Sequence, residues 1–485
     1  MAMAGSGMIP AFAISIGRIG NFNHTGRFYS VAANRIAPFY SLPPNKKCLF
    51  NFVVSNKICT FATKSKYMEK ELFRTIIAES QEYIGRIQLV QRPLNLEEYG
   101  NYVFVGVRQA GKSYLLYQRI QQLLANGVDI EDIVYVNFDD ERLQGMSVTD
   151  FDFILQAYHS MYEGQPIFFF DEIQNVEGWA NFARRLANQK YRVYITGSNA
   201  KMLSRDIETV LGGRYLDISV FPYSFSEYLK AVGVLYSKNW QYGRKANELQ
   251  RHFRTYFDWG GFPELVHFQE KRIWLNNLYN RIFFNDLVVR HKIKNEDALR
   301  LCVRRLAESV KQPCSLNRLS NLIKATGTPC SPSTVMEYVR YLQESCLLIS
   351  IANFVSKFVE KETIKKHYFV DNGLLHLFIN NPNTSLLENL CAITLYKKYA
   401  KGLYYYNKNI EVDFYVPDEG LAVQASYQMS DGETIEREVK ALVALHGLHP
   451  LKRAMIITYE DEGEIVRDGL RIEIKPAWKW VLEGL

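Results

Sequence analysis

The segment YVFVGVRQAGKS, residues 102–113, decides the fold. It opens with an apolar run over residues 102–105, continues as a loop with two glycines, and ends in a lysine and a serine. The next residues, 114–124, carry apolar side chains at helical spacing. Strand, glycine-containing loop and helix in this order are typical of a phosphate-binding loop in an α/β fold. A glycine-rich turn that only caps a helix is the alternative.

Each residue of this loop has an expected role in holding a nucleotide. Gly106 and Gly111 let the backbone turn so that successive N–H groups face the phosphates. Lys112 is expected to contact the β- and γ-phosphates as a catalytic cation, and the Ser113 hydroxyl is expected to bind Mg²⁺. The sequence thus predicts ATP and Mg²⁺ as ligands. The other predicted nucleotide-binding positions in this stretch are Arg108, Gln109, Ala110 and Tyr114.

A second signal lies about 60 residues further on, where the apolar run PIFFF, residues 166–170, ends in Asp171 and Glu172. Such a run is typical of a buried parallel strand. A carboxylate at the end of that strand can hold Mg²⁺ through water, and the next one can polarise the attacking water. We therefore expect Asp171 to be the metal carboxylate and Glu172 the general base. A solvated strand end is the alternative.

Two further strands end in polar residues. The run YRVYITG, residues 191–197, leads into Ser198 and Asn199, either of which could reach the γ-phosphate or the water. Both are also good helix caps, and the two roles are compatible. The strand predicted at residues 133–138 is followed by three acidic residues, 139–141, which either border the site or begin the next helix.

The charge of the chain is concentrated at its start. The net charge is +7, but residues 1–68 contain eight Lys or Arg and no acidic residue, so the rest holds 50 basic and 51 acidic side chains. A leader over residues 1–67 is therefore left out of the fold. It is interpreted as translated upstream sequence, with a targeting segment or a folded extension as alternatives. A body this close to neutral does not favour general nucleic-acid binding.

Composition excludes several classes. Hydrophobic content of 47%, charged content of 22%, 31 Tyr and 29 Phe are typical of well-packed globular domains. No apolar run reaches the roughly 18 to 20 residues of a membrane helix, so no membrane partner is expected. Seven cysteines without paired spacing argue against a disulfide framework or zinc cluster and favour a cytoplasmic location.

Four further stretches make the chain similar to a known group. The runs FFFDEIQNVEGW, ITGSNAKML, LGGRYLDISVFPYSFSEYL and GGFPE resemble bacterial and archaeal AAA-type P-loop ATPases that carry an uncharacterised C-terminal domain. The resemblance extends from about Glu69 to the end of the chain. It implies a five-stranded parallel core with an extra strand between the P-loop strand and the Asp171 strand.

In such ATPases an arginine from a neighbouring subunit often completes the site, which implies a possible homo-oligomer. Arg214 is the best candidate for this catalytic role, and Arg205 and Lys201 are the runners-up. The alternative is that Arg214 pairs only with a local carboxylate.

The C-terminal half shows two further patterns. Residues 297–351 contain three short helical stretches and then a strand, which is typical of a winged helix. Arg340 and Lys324 would be the bases on a DNA-reading face, although a structural or lid role is favoured. The predicted domains are an ATPase core at 68–230, a helical lid at 231–295, a winged-helix-like segment at 296–360 and a restriction-endonuclease-like domain at 361–485.

The last of these domains resembles a nuclease fold that has lost part of its site. Glu388 and Asp413 match the first two acidic positions of that family. The third motif is Gln424-Ala425-Ser426, in which a glutamate is replaced by glutamine and the lysine is absent. No nuclease activity is therefore expected. Lys440, on the following helix, is the alternative source of the missing charge.

These observations lead to one main functional hypothesis and two alternatives. The main hypothesis is an Mg²⁺-dependent ATPase whose nucleotide cycle moves the C-terminal half, acting on a DNA or protein client. The first alternative is a slow ATP-gated switch in which hydrolysis only resets the conformation. The second is a DNA-binding regulator in which ATP is secondary.

Overall fold

The computed structural model describes residues 51–54, 57–60, 70–203, 209–237, 239–429 and 432–484. The chain divides into two units after Tyr67. The described part of the first unit is an antiparallel strand pair, β1 (Asn51–Val54) and β2 (Lys57–Thr60). The rest of the predicted leader lies outside the described residues, and so does Arg205.

The first sheet of the second unit is parallel and, in the described residues, five-stranded. Its order is β4-β5-β6-β3-β7. The extra strand β6 therefore lies between the P-loop strand β3 and the Asp171 strand β5, which confirms the predicted P-loop NTPase fold. The strands are β3 (Asn101–Val105), β4 (Ile133–Asn137), β5 (Ile167–Asp171), β6 (Arg192–Gly197) and β7 (Tyr215–Ser219).

Helices cover both faces of this sheet, which explains why β5 is buried along its whole length and apolar up to its last residue. Phe168 and Phe170 point to one face, where Phe170 packs near Phe182, and Phe169 points to the other, where its ring stacks on Tyr194 at 4.7 Å between centroids. Alternate side chains of a strand face opposite ways, so each layer is filled in turn. The flanking helices are Lys70–Ile84, Lys112–Ala125, Asp152–Met161 and Trp179–Asn188.

Helices follow the parallel sheet. The first begins with a capping box in which Ser224 and Glu227 exchange hydrogen bonds. These helices are Phe225–Ala231, Gly243–Trp259 and Lys271–Arg281, and the last continues into a π-helix at Ile282–Val289.

The next segment contains the three helices and the following strand that the sequence predicted, together with two further strands and a short helix. Ser315 and Ser331 cap its second and third helices through their side chains. The elements are Glu296–Glu308, β8 (Cys314–Ser315), Leu316–Lys324, Pro332–Glu344, β9 (Leu348–Asn353), the short helix Phe358–Thr363 and β10 (Ile364–Phe369). The winged-helix assignment stays a prediction.

The described part of the C-terminal half forms one nine-stranded sheet in the order β15-β16-β14-β13-β12-β11-β9-β10-β8. This C-terminal sheet continues across the predicted boundary at residue 360, because β11 pairs with β9. Its remaining strands are β11 (Tyr404–Asn407), β12 (Glu411–Val416), β13 (Leu421–Ala425), β14 (Arg453–Thr458), β15 (Gly463–Arg467) and β16 (Leu470–Pro476). The helices packed with it are Asn372–His376, Asn383–Tyr399, Gly432–Leu448 and Ala477–Glu483.

A helix, three strands, a second helix and a fourth strand follow one another from residue 383 to residue 458. The nuclease-like assignment and the domain boundaries stay predictions. In the part of the chain that the structure describes, no helix combines the length and the apolar character needed to cross a bilayer.

Candidate nucleotide-binding site

The P-loop connects the carboxyl end of β3 to the helix Lys112–Ala125, and its two glycines are needed for different reasons. Gly111 has a left-handed backbone with φ of 92°, which suits glycine. A Cβ on Gly106 would lie only 2.0 Å from the carbonyl oxygen of Val220, which follows β7. Gly111 thus allows the turn, whereas Gly106 allows a neighbouring backbone to approach closely.

Lys112 is buried at the mouth of this loop, with 4% of its surface exposed. Its ammonium group donates to the carbonyl oxygens of Gly106 at 3.2 Å and Val107 at 3.3 Å. It also lies 3.3 Å from a carboxylate oxygen of Glu172. The predicted phosphate-binding cation and the predicted base are therefore in direct contact.

Asp171 and Ser113, the two predicted Mg²⁺ ligands, also meet. Burial and the neighbouring Glu172 raise the pKa of Asp171, while hydrogen bonds that include one with Ser113 work to lower it. Asp171 is 2% exposed and accepts hydrogen bonds from the hydroxyl groups of Thr196 and Tyr135, the latter at 2.7 Å. A hydroxyl beside a carboxylate is an oxygen donor set of the kind Mg²⁺ takes, so these residues fit the ion.

Tyr135 and Thr196 hold Asp171 in place, and sequence reasoning missed both. Tyr135 lies on β4 and is hydrogen-bonded to Tyr117 at 3.0 Å, while Thr196 lies on β6. In the sequence, a tyrosine or threonine within an apolar strand looks like an ordinary core residue. Only the strand order brings these hydroxyl groups to the carboxylate.

Glu172 has a left-handed backbone, with φ of 51° and ψ of 41°. This conformation is uncommon for a residue other than glycine and costs about 1 to 3 kcal/mol. The backbone N–H of Glu172 donates to the Thr196 hydroxyl at 2.9 Å, and its carboxylate accepts from the Ser198 N–H at 3.2 Å and from Gln174. The surrounding contacts thus fix an unfavourable backbone and aim the side chain at the loop.

The pKa of the Glu172 carboxyl is lower than usual. Burial works to raise this pKa, but attraction to Lys112, the hydrogen bond from Gln174 and attraction to Arg108 outweigh it. The carboxylate is therefore ionised at neutral pH, as a general base must be. Ser198 is buried beside it, and Asn199 is half-buried one residue further along.

The middle helices also reach the P-loop, which the sequence did not reveal. Arg108 donates two hydrogen bonds to Asp286 of the π-helix, at 3.0 and 3.1 Å. These bonds raise the pKa of Arg108. Gln109, which has a left-handed backbone, lies 3.5 Å from Glu264 of the GGFPE stretch. Residues more than 150 positions apart therefore border one site.

The remaining loop positions differ in how they are placed. Ala110 is fully buried, and its carbonyl oxygen accepts a hydrogen bond from Arg92 at 3.2 Å. Tyr114 is 53% exposed and packs edge-on against Tyr117, at 5.7 Å between ring centroids. A nucleotide contact by Tyr114 stays a prediction.

Arg214 lies away from this site. It is exposed, donates to the carbonyl oxygen of Gly212 at 3.1 Å and precedes the first residue of β7. Since β7 runs parallel to β3, Arg214 lies at the amino edge of the sheet, beside Asn101, whereas the P-loop lies at the carboxyl edge. The side chain of the runner-up Lys201 is not among those described.

A second cluster of charged residues lies in the C-terminal half. Lys366 of β10, which is fully buried, lies 2.9 Å from Asp413, 3.2 Å from Glu388 and 3.3 Å from Glu411. Burial, followed by repulsion from Asp413, raises the pKa of Glu388 to about 7. A lysine is thus present among these carboxylates, although the sequence motif lacks one at the third position.

Two residues predicted near this cluster have other partners. Gln424 accepts from the backbone N–H of Asp413 at 2.8 Å and donates to the carbonyl oxygen of Glu411 at 3.0 Å. Lys440, the predicted alternative cation, is instead 71% exposed and 3.4 Å from Glu436. Among the residues described, no group of three or more His, Cys, Asp or Glu is arranged to hold a metal ion.

The fold and this site define a P-loop NTPase, and comparison with known proteins agrees. The AAA domain family matches residues 99–229, and a Domain of unknown function (DUF8612) matches residues 250–425. An uncharacterized protein of Methanocaldococcus jannaschii is 31% identical over 434 residues, covering 85% of this chain and 96% of its own length. One from Haemophilus influenzae is 30% identical over 393 residues, covering 79% and 94%. The chain belongs to this family of archaeal and bacterial AAA-domain proteins.

Solved structures show more distant similarity. A Walker-type ATPase of Pyrococcus abyssi is 12% identical with a TM-score of 0.33, covering 65% of this chain and 97% of its own. Cdc6p of Pyrobaculum aerophilum is 12% identical with a TM-score of 0.25, covering 63% and 92%. Similarity at this level does not bear on function, and the fold assignment rests on the strand order.

Proposed function

We propose that this chain binds ATP with Mg²⁺, hydrolyses the ATP, and uses the cycle to move its C-terminal half. The observation that carries the proposal is the contact between Lys112 and Glu172, with Ser113 and Asp171 next to each other beside it. All four lie at the carboxyl edge of the parallel sheet, where P-loop proteins hold their phosphates.

In this proposal each side chain has one task. Lys112 binds the terminal phosphates, while Ser113 and Asp171 hold Mg²⁺, which neutralises charge on the phosphate oxygens when it is bound. Glu172 accepts a proton from the attacking water, and its lowered pKa supports this role. Because Lys112 also pairs with Glu172, phosphates that attract Lys112 would free the base for the water.

Two substitutions test the proposal. Lys112→Ala should abolish ATP binding, since it removes the cation at the phosphates. Glu172→Gln should keep ATP binding and lower turnover at least about 100-fold, since only the proton acceptor is lost. Nucleotide affinity is measured by calorimetry and phosphate release by a coupled assay. Unchanged affinity in the first variant would refute the site, and unchanged turnover in the second would refute the base.

A slow ATP-gated switch is the second candidate. It is favoured by the double hydrogen bond between Arg108 and Asp286, because this bond links the P-loop to the middle helices. Steady-state turnover below about one per minute, together with ATP-dependent partner binding, would favour the switch over a fast-cycling enzyme. A DNA client is less favoured, because the exposed Arg340 lies 3.8 Å from Glu344 on the same helix.

A further inference from the structure

Asp286 is shared by two arginines. One of its carboxylate oxygens accepts from Arg108 Nε at 3.0 Å, and the other accepts from Arg108 Nη2 at 3.1 Å and from Arg290 Nη2 at 3.0 Å. Asp286 is only 3% exposed. Three charged hydrogen bonds to one buried carboxylate form a strong and specific arrangement. None of these partners is required by the helix, so the cluster calls for a functional explanation.

The cluster lies near the proposed base. Arg108 is attracted to Glu172, the proposed base, as well as to Asp286 and to Asp139, whose carboxylate is 4.0 Å away. Arg290 brings a further donor, since its buried Nη1 has no hydrogen-bond partner among the described residues. A buried guanidinium nitrogen without an acceptor is costly and marks a place where an acceptor would fit.

We propose that Asp286 and the terminal phosphate of a nucleoside triphosphate compete for the guanidinium groups of Arg108 and Arg290. This inference rests on the proposed function. A carboxylate and a phosphate present paired oxygens to arginine in the same way, so either can accept the two parallel hydrogen bonds of a guanidinium group. The phosphate carries more charge and supplies an acceptor for Arg290 Nη1, and both favour the exchange.

The exchange makes the site selective for the triphosphate. A diphosphate lacks the group that competes with Asp286, so it leaves both arginines on the carboxylate. Once released, Asp286 no longer ties the π-helix Ile282–Val289 to the P-loop. The phosphate state is thereby communicated to the helices that lead into the C-terminal half, and linkage requires that holding Asp286 on Arg108 weakens triphosphate binding equally.

The test compares the affinities of a non-hydrolysable ATP analogue and of ADP for full-length chains. Asp286→Asn removes the competing charge, so we expect the analogue to bind about tenfold more tightly while ADP affinity changes less than twofold. Asp217→Asn is the matched control, because it makes the same chemical change at an exposed position of β7, away from both arginines. It should change the ratio of the two affinities less than twofold.

A double variant identifies the arginine. In Asp286→Asn with Arg108→Gln the gain for the analogue should disappear, since the guanidinium released by the first change is absent. An unchanged affinity ratio in Asp286→Asn, or an equal change for both nucleotides, would overturn the proposal. If Asp286→Asn does not fold, Arg108→Gln alone should lower the ratio at least fivefold, and an unchanged ratio overturns the proposal as well. If the unsubstituted chain binds neither nucleotide, the proposed function itself is refuted instead.

Discussion

At the scale of single residues, the two P-loop glycines illustrate how the same residue type can satisfy different requirements. Gly111 is needed for its left-handed backbone, which other residues adopt at a cost. Gly106 is needed because Val220 approaches it, and a backbone carbonyl cannot move aside as a flexible side chain can. Substitution at either position should therefore be harmful, through different causes.

The first prediction concerns Gly106. Gly106→Ala should destabilise the chain by about 2 kcal/mol or more, because the added methyl group overlaps the carbonyl oxygen of Val220. Nucleotide affinity should fall as well, since the loop must shift to relieve the overlap. Thermal unfolding and calorimetry measure the two effects. Gly85→Ala is the control, because a Cβ there meets nothing within 4 Å. Equal stability of the two variants would contradict the prediction.

The second prediction concerns His367 of β10, which is buried and 2.7 Å from the Ser350 hydroxyl. Burial, with a smaller contribution from Lys365, lowers its pKa to about 4. The His367 side chain therefore takes up a proton near pH 6.5 in the unfolded chain but only near pH 4 in the folded chain. The contribution of His367 to the free energy of unfolding is complete above pH 6.5. It is lost as the pH falls towards 4, by about 3 kcal/mol in all.

His367→Asn tests that prediction, because asparagine can still bond to Ser350 but does not titrate. Denaturant unfolding at several pH values should show that the stability of the unsubstituted chain minus that of the variant falls as the pH drops from 6.5 to 4. The difference between the two proteins is the useful quantity, since Asp371, whose pKa burial raises to about 6, acts in the opposite direction in both. If the stabilities of the two proteins change with pH in the same way, His367 takes up its proton in the folded chain as readily as in the unfolded chain, and the prediction is wrong.

The predicted residues and their partners differed in how much the sequence could reveal. Lys112 and Ser113 follow a fixed spacing, and Asp171 and Glu172 end a recognisable strand, so local pattern was enough to identify them. Asp286 and Thr196 have no such signal, because each acts through a contact made across the fold. Such partners depend on strand order and helix packing, which one sequence does not encode locally.

At the scale of secondary structure, the strands that sequence reasoning found are the apolar ones. All of β5 is buried, and its run of apolar residues identified it. By contrast, β7 and β15 are mostly exposed and lack a long apolar run. A strand at the edge of a sheet shows little alternation of apolar and polar residues, because only part of one of its faces is covered by other elements.

Lys366 provides a prediction at this scale, because it joins β10 to β12 and to the helix Asn383–Tyr399. Lys366→Met should destabilise the chain by about 3 to 5 kcal/mol, since it leaves buried carboxylates without a counter-charge. Lys440→Met is the control, because that lysine is exposed and, among the described residues, its ion pair is with Glu436 of the same helix, where such pairs contribute about 0.5 kcal/mol or less. Urea unfolding measures both, and similar losses would mean that the cluster is not held by Lys366.

At the scale of the whole molecule, Arg214 and the P-loop lie at opposite edges of one sheet. If Arg214 contributes to hydrolysis, it must act on a second copy of the chain. Lys112→Ala and Arg214→Ala chains should each be inactive alone and should recover ATPase activity when mixed, because each supplies the part that the other lacks. Phosphate release from the separate and mixed variants measures this. Normal turnover of Arg214→Ala alone would exclude the role, and the mixture of Lys112→Ala with the unsubstituted chain is the control.

The pairing of β9 with β11 also has a mechanical consequence. It joins the two predicted C-terminal modules through shared backbone hydrogen bonds, so they form one continuous sheet rather than two separately folded domains. Nine described strands spaced about 4.8 Å apart make that sheet roughly 38 Å wide. Because its strands are hydrogen-bonded to one another, a displacement of β8 would be passed to the whole sheet, which would move as one body.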